Sequence, residues 1–181
     1  NPYRIAVSAD AQRIYVANET SNAISIIDAK TNAVIGTPIA VGGVPHEIAI
    51  TPDGTRAYVA LAGLTTIAVI DTATRTLLAP VSVNAAFPNS IAFSPDGKRA
   101  YVAAGFGAQV IDTTTNTVTA TTAPLAGTGT NMRSVAASPD GKRLYLASVA
   151  LGDFGLATVN TLSVVDTATN ALIVNVDLPG L

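Results

Sequence analysis

The chain has no cysteine. That excludes disulfides, thiolate metal sites and a cysteine nucleophile. Histidine is almost as scarce, with His46 the single copy. A zinc site of the usual kinds wants several His or Cys ligands. A Ser-His-Asp arrangement would have to be built around His46, and no nucleophile-elbow motif is present. Haem iron would find only His46 or Met132 as an axial ligand. Glutamate is limited to Glu19 and Glu47, so a paired-carboxylate site would depend on aspartates. Charge is low throughout: 12% of residues are Asp, Glu, Lys or Arg, about half the usual globular share. The net charge of −2 leaves no electrostatic footprint for nucleic acid. No apolar run approaches the roughly 18 residues that span a bilayer. No charged segment followed by an apolar one opens the chain, so any secretory signal is expected to have gone already.

What fills the 181 residues is Thr, Val, Ala and Ile, which favour strands. They are organised by a repeat. A turn reads Ser8-Ala9-Asp10-Ala11, Thr51-Pro52-Asp53-Gly54, Ser94-Pro95-Asp96-Gly97 and Ser138-Pro139-Asp140-Gly141, its aspartates 43, 43 and 44 residues apart. Five residues after each aspartate stands a tyrosine: Tyr15, Tyr58, Tyr101, Tyr145. A later column holds Asp28, Asp71, Asp112 and Asp166. A fixed period of this length means one supersecondary unit stacked on copies of itself.

The second unit predicts four strands. Ile48-Ala49-Ile50 precedes the Pro52-Asp53-Gly54 turn, Arg56-Ala57-Tyr58-Val59-Ala60 follows it, Ile67-Ala68-Val69-Ile70-Asp71 comes third, and residues 77–83 come fourth. In the turn, Pro presets φ, Asp bonds its own backbone and Gly tolerates positive φ. No stretch shows helical periodicity. Four short antiparallel strands, repeated, form a blade of a β-propeller. The expected fold class is therefore all-β: a β-propeller of four-stranded antiparallel blades, four in this chain, spanning about 1–44, 45–87, 88–131 and 132–181 of a single domain. Strand A is taken as innermost and D as outermost.

The motifs resemble one family. Ser94-Pro95-Asp96-Gly97-Lys98-Arg99-Ala100-Tyr101-Val102-Ala103, Val164-Val165-Asp166-Thr167-Ala168-Thr169-Asn170 and Gly42-Gly43-Val44-Pro45 are similar to the consensus of YVTN-type propeller repeats. The resemblance covers essentially the whole chain. It implies a propeller that is often extracellular or surface-associated, usually with about seven blades, and no single activity. Four blades leave three arrangements open: part of a larger propeller, half of a two-chain ring, or an arc or ring closing alone. The first and last blades must be covered, so self-association through them is expected.

Chain direction puts the A–B and C–D turns on one face and the D–A and B–C loops on the other. The first set is nearly identical in every blade and reads as structural. Its aspartates, one per blade, cannot converge on one metal ion and are read as Asx-turn formers. The column Arg13, Arg56, Arg99 and Arg143 is expected to lie over the tyrosines or pair with turn aspartates.

The D–A and B–C loops vary, which reads as the functional face. Tyr3-Arg4, His46-Glu47, Asn89-Ser90 and Arg133-Ser134 begin the innermost strands and should ring the channel mouth. A bland reading makes them a solvated polar lining. An insertion in the B–C loop of the fourth blade, within residues 149–160, should carry an apolar tip with Leu151, Phe154 and Leu156. Packing on a neighbouring blade is the alternative. The Gly127-Thr128-Gly129-Thr130 segment lacks the strand-then-helix setting of a phosphate cradle and reads as a linker.

The expected function is a non-enzymatic binding or cell-surface structural module. It needs no metal or cofactor and contacts a protein or cell-surface partner through Tyr3, Arg4, His46, Glu47, Asn89, Arg133, Leu151 and Phe154. The alternative is a propeller enzyme of the lactonase or quinoprotein sort with its site at the channel mouth. The Thr-rich, Cys-free composition suits an exported bacterial or archaeal protein, whether extracellular, periplasmic or on the cell surface.

Overall fold

The computed structural model describes residues 1–85, 87–122, 130–151 and 157–178, the side chains of 130, 150, 151 and 157–159 excepted. The described residues hold no helix and form four antiparallel sheets in chain order, each built from consecutive strands. Blade 1 is β1 (Pro2–Val7), β2 (Arg13–Asn18), β3 (Ala23–Asp28) and β4 (Ile39–Ala40). Blade 2 is β5 (Val44–Ile50), β6 (Arg56–Ala62), β7 (Thr66–Asp71), β8 (Thr76–Leu77) and β9 (Val81–Ser82). Blade 3 is β10 (Ser90–Phe93), β11 (Arg99–Ala104), β12 (Gly107–Asp112) and β13 (Thr117–Thr121). Blade 4 is β14 (Thr130–Ala137), β15 (Arg143–Leu151), β16 (Ala157–Asp166) and β17 (Leu172–Leu178). This is the β-propeller architecture expected from the repeat.

Two strand expectations are corrected. The fourth strand of blade 2 is not continuous over 77–83 but splits into β8 and β9, both paired to β7. Pro80 lies in the gap and has no N–H to give the ladder. The insertion in blade 4 is only partly a loop. It extends the B–C hairpin, so that Val149 pairs Asn160 and Leu151 pairs Ala157.

Pleating sends alternate residues of each blade to opposite sides, and the blades stack by these sides. Tyr15, Ile24 and Ile26 of blade 1 pack with Ile48, Val59 and Ile70 of blade 2. Tyr58, Ile67 and Val69 meet Ile91, Val102 and Ile111. Tyr101 and Val110 meet Met132, Leu144 and Leu146. Each fully buried Val, Leu or Ile is worth about 1.5–3 kcal/mol, so these three layers carry the fold. The tyrosine column is thus explained: each ring fills the gap to the next blade. Tyr15, Tyr58 and Tyr101 are buried, whereas Tyr145, on the last blade, is only half-buried. The first strands of neighbouring blades meet, β1 with β5, β5 with β10 and β10 with β14, while β17 is exposed along its length. Strand A is therefore innermost and strand D outermost.

The arginine column does something other than expected. Arg13, Arg56 and Arg99 each donate from Nη1 to a backbone carbonyl of the next blade, Thr72 at 2.7 Å, Thr113 at 2.7 Å and Thr167 at 2.8 Å. Each of these carbonyls follows a C–D turn aspartate in sequence. A guanidinium on a long stem can span the blade gap, and a carbonyl at a turn is an acceptor with lone pairs to spare. Among the described residues, Arg143 makes no such bond.

Candidate functional site

The face bearing the A–B and C–D turns is built the same way four times over. In the A–B turn of blade 2, Thr51 Oγ1 donates to Asp53 Oδ1 (2.6 Å) and accepts from the Arg56 N–H (3.0 Å). Asp53 Oδ1 also accepts from the Thr55 N–H at 3.0 Å. Ser8, Ser94 and Ser138 repeat this with Asp10, Asp96 and Asp140. Gly54, Gly97 and Gly141 close the turn with φ of 72°, 70° and 70°, and Ala11 takes the same place at 55°. In the C–D turn, Asp71 Oδ1 accepts from the N–H groups of Ala73 (3.0 Å) and Thr74 (2.7 Å). Hydroxyl bonds from Thr51 and Ser8 hold the Asp53 and Asp10 carboxyls below the usual carboxylate range, with backbone N–H bonds adding to the effect. For Asp71 and Asp166 the backbone N–H bonds of Thr74 and Thr169 come first. These carboxylates are committed to their own turns. Among the described residues, no three His, Cys, Asp or Glu side chains cluster.

The opposite face is irregular, and its irregularity has a structural form. The pairing of β1 with β2 slips between Pro2 and Arg4, that of β5 with β6 between Pro45 and Glu47, and that of β14 with β15 between Met132 and Ser134. The bulged residues are Tyr3, His46 and Arg133. Asn89 stands at the matching place, directly before β10, its N–H bonded to Ala103 O at 2.9 Å. A bulge leaves one residue out of the ladder and re-aims its side chain, and bulges gather beside functional sites. Four of the sequence-predicted residues thus share one structural role, at the start of the innermost strand in each blade.

Four of the residues come together. Tyr3 Oη lies 3.4 Å from His46 Nε2, with the rings 5.1 Å apart. The Arg4 guanidinium sits 4.9 Å over the Tyr3 ring and its Nε is 3.6 Å from Glu47 Oε2. An ion pair this open is worth about 0–1 kcal/mol, so it orients Arg4 more than it stabilises the fold. His46 Nδ1 is buried and has no partner among the described residues. The cluster therefore offers an aromatic face, a guanidinium with free donors and an imidazole nitrogen in want of a bond.

Asn89 and Arg133 do not join this cluster. Asn89 Nδ2 donates to the Met132 carbonyl at 2.7 Å, tying blade 3 to blade 4, and Arg133 is exposed. Leu151 closes β15, and its side chain, like the whole of Phe154 and Leu156, lies outside the described residues. Gly127, Thr128 and Gly129 lie outside them as well.

Sequence reasoning missed Gln109. Its register in β12 corresponds to Ser25, Ala68 and Ser163 in the other blades, paired opposite Val16, Val59 and Leu146. A long amide in a column of small residues was the available signal. Gln109 is 3% exposed, and its Oε1 has no partner among the described residues.

No protein-family model matches the chain, and no curated protein matches it. Among solved structures it is similar to Kuenenia stuttgartiensis hydrazine synthase, with 28% identity and a TM-score of 0.89 over 98% of this chain. The chain spans about half of that one, 49% of its length. This corrects the expectation of a non-enzymatic protein, because the structure it resembles at this identity is an enzyme. The expectation rested on the absence of a triad or zinc set. That absence describes the side chains of this stretch alone, and a propeller can host chemistry that its repeated columns do not announce. Among the described residues no helix is long and apolar enough to cross a membrane.

Proposed function

We propose that the face carrying the D–A and B–C loops is the working face of this propeller, and that a ligand or partner binds there against Tyr3, Arg4, His46 and Glu47. The carrying observation is the bulge that lifts Tyr3 and His46 out of the ladder, with His46 Nδ1 buried and without a bond among the described residues. A buried unpaired polar atom costs about 1–3 kcal/mol and is tolerated where a ligand or water completes it. The test is a thermal-shift screen of small polar compounds. Hits should raise the melting temperature of the wild type and not that of a Tyr3→Ala, Arg4→Ala double variant. A screen whose hits all survive in the double variant would refute the assignment.

The likeness to hydrazine synthase favours a second reading, in which the same mouth supports a reaction, of the lactonase or quinoprotein sort that propellers host. A panel of chromogenic lactones, assayed with wild type and His46→Gln, tests the lactonase form. Turnover lost in the variant supports it.

The same reading takes the chain as a YVTN-type propeller working outside the cytoplasm, which cell fractionation tests. The registered turn, tyrosine and aspartate columns support it. It also takes the blade ends as self-association surfaces. Ile5, Val7 and Val34 are exposed on blade 1, and Val174 and Val176 on blade 4, on sides that copy those buried at the internal junctions. Light scattering at low micromolar concentration tests this, and a monodisperse monomer would refute it.

A further inference from the structure

A cleft of about 660 Å³ opens over blade 3, on the working face but away from the Tyr3–His46 cluster. Small-molecule sites run to roughly 300–1,000 Å³ and combine aromatic walls with a few placed polar groups. This one has both. Phe87, from the loop between β9 and β10, and Phe106, from the loop between β11 and β12, line it while 62% and 58% exposed. The two rings stand open in the wall of one cleft, where a bound ligand would cover them. Phe87 also has φ of 60°, a left-handed conformation that is an outlier for a bulky residue.

Gln109 lines the same cleft. Its Nε2 donates to Thr121 Oγ1 at 3.1 Å, and its buried Oε1 has no partner among the described residues. The acceptor needs a donor, and Gln109 stands in the wall of the cleft. Thr121, Asn84 and Asn131 add hydroxyl and amide groups able to donate or accept, and no described lining residue carries a charge.

Resting on the reading of this face as the working one, we infer that the cleft is a binding site for a neutral saccharide. A pyranose ring presents an apolar C–H face to a phenyl ring and a rim of hydroxyls, each donor and acceptor at once, to amides and threonine. A charged ligand would find no counter-charge, and a purely aromatic one would leave the Gln109 carbonyl unpaired.

The experiment is isothermal calorimetry with cellobiose, maltose and N,N′-diacetylchitobiose at millimolar concentration, on wild type and three variants. At least one sugar should bind the wild type. Phe106→Ala should weaken it about tenfold, the size expected when an aromatic anchor is truncated. Gln109→Ser should weaken it as well while keeping the melting temperature, because serine stands at the matching position in blades 1 and 4. Arg4→Ala should leave sugar binding unchanged. No binding by any of the three sugars would overturn the proposal, as would binding indifferent to both cleft variants. Sugar binding abolished by Arg4→Ala alone would move the site to the channel mouth and also overturn it. Binding of p-cresol in place of the sugars would make the cleft an aromatic pocket and overturn the proposal as well. If the mouth reading fails in its own screen while the cleft variants behave as stated, only the first proposal falls.

Discussion

Replacing Arg56 by glutamine removes one cross-blade bond and leaves much of the stem in place. Arg56 Nη1 donates to the Thr113 carbonyl at 2.7 Å in a part-buried setting between blades 2 and 3. A hydrogen bond with one charged partner contributes about 1.5–3 kcal/mol. The bond is part-buried, so the lower half of that range, about 1.5–2 kcal/mol, is expected. For a chain of this length 1 kcal/mol moves the melting temperature by about 2–4 °C, giving a drop of roughly 3–8 °C. The column supplies its own control. Arg143 occupies the same register, yet among the described residues it makes no bond to a neighbouring blade. Arg143→Gln should therefore shift the melting temperature by less than about 1 °C, as exposed surface changes usually do. Circular dichroism melts of the two variants side by side decide the matter. Equal shifts would refute the claim that the column works by bridging blades, and would return it to local packing within each blade.

Further predictions concern the turns and the tyrosine column. Ala11 sits at the left-handed position that glycine fills in the other three A–B turns, so Ala11→Gly should stabilise the protein by roughly 0.5–1 kcal/mol in urea titrations. Gly97→Val should destabilise it by about 1–3 kcal/mol, since φ is 70° there and a Cβ would lie 3.3 Å from Pro52 Cδ; a negligible change would refute the turn geometry. Tyr58 donates its hydroxyl to Asn116 Oδ1 across the blade gap, so Tyr58→Phe should cost about 1 kcal/mol and Tyr145→Phe close to nothing. The turn aspartates have folded pKa values below the ordinary one. Their contribution is present above the unfolded value near ~4 and is lost as pH falls through the depressed folded values. Stability should hold on going from neutral to pH ~5 and fall steadily below pH ~4; a melting temperature that rises on acidification would contradict this.

Periodic information was fully legible. Strand order, the type of both turns, the roles of Asp53 and Asp71 and the even spacing of the tyrosines follow from local chemistry repeated four times. Such chemistry needs no partner from another blade. The starting residues of the innermost strands could also be found, because Tyr3, His46, Asn89 and Arg133 break an otherwise regular column. What they do there could not. The bulge that lifts them from the ladder, the meeting of Tyr3 with His46 and of Arg4 with Glu47, and the diversion of Asn89 to a backbone carbonyl all depend on how one blade abuts the next.

The same division explains the errors. The sequence offers the arginines the repeated tyrosines and turn aspartates as partners and gives no sign of a carbonyl on the next blade. Their acceptors Thr72, Thr113 and Thr167 are 57 to 68 residues away. Gln109 shows in the sequence only as one long amide in a column of small residues; that its carbonyl is buried, without a partner among the described residues, in a cleft shared with Phe87 and Phe106 is set by the packing of blade 3. The sequence by itself determined the repeating unit, since hydrogen bonds within a turn or hairpin form between near neighbours. Tertiary structure alone decided the contents of the gaps between units, since a cleft, a bridge or an orphaned atom there is set by side chains that meet only once the blades have stacked.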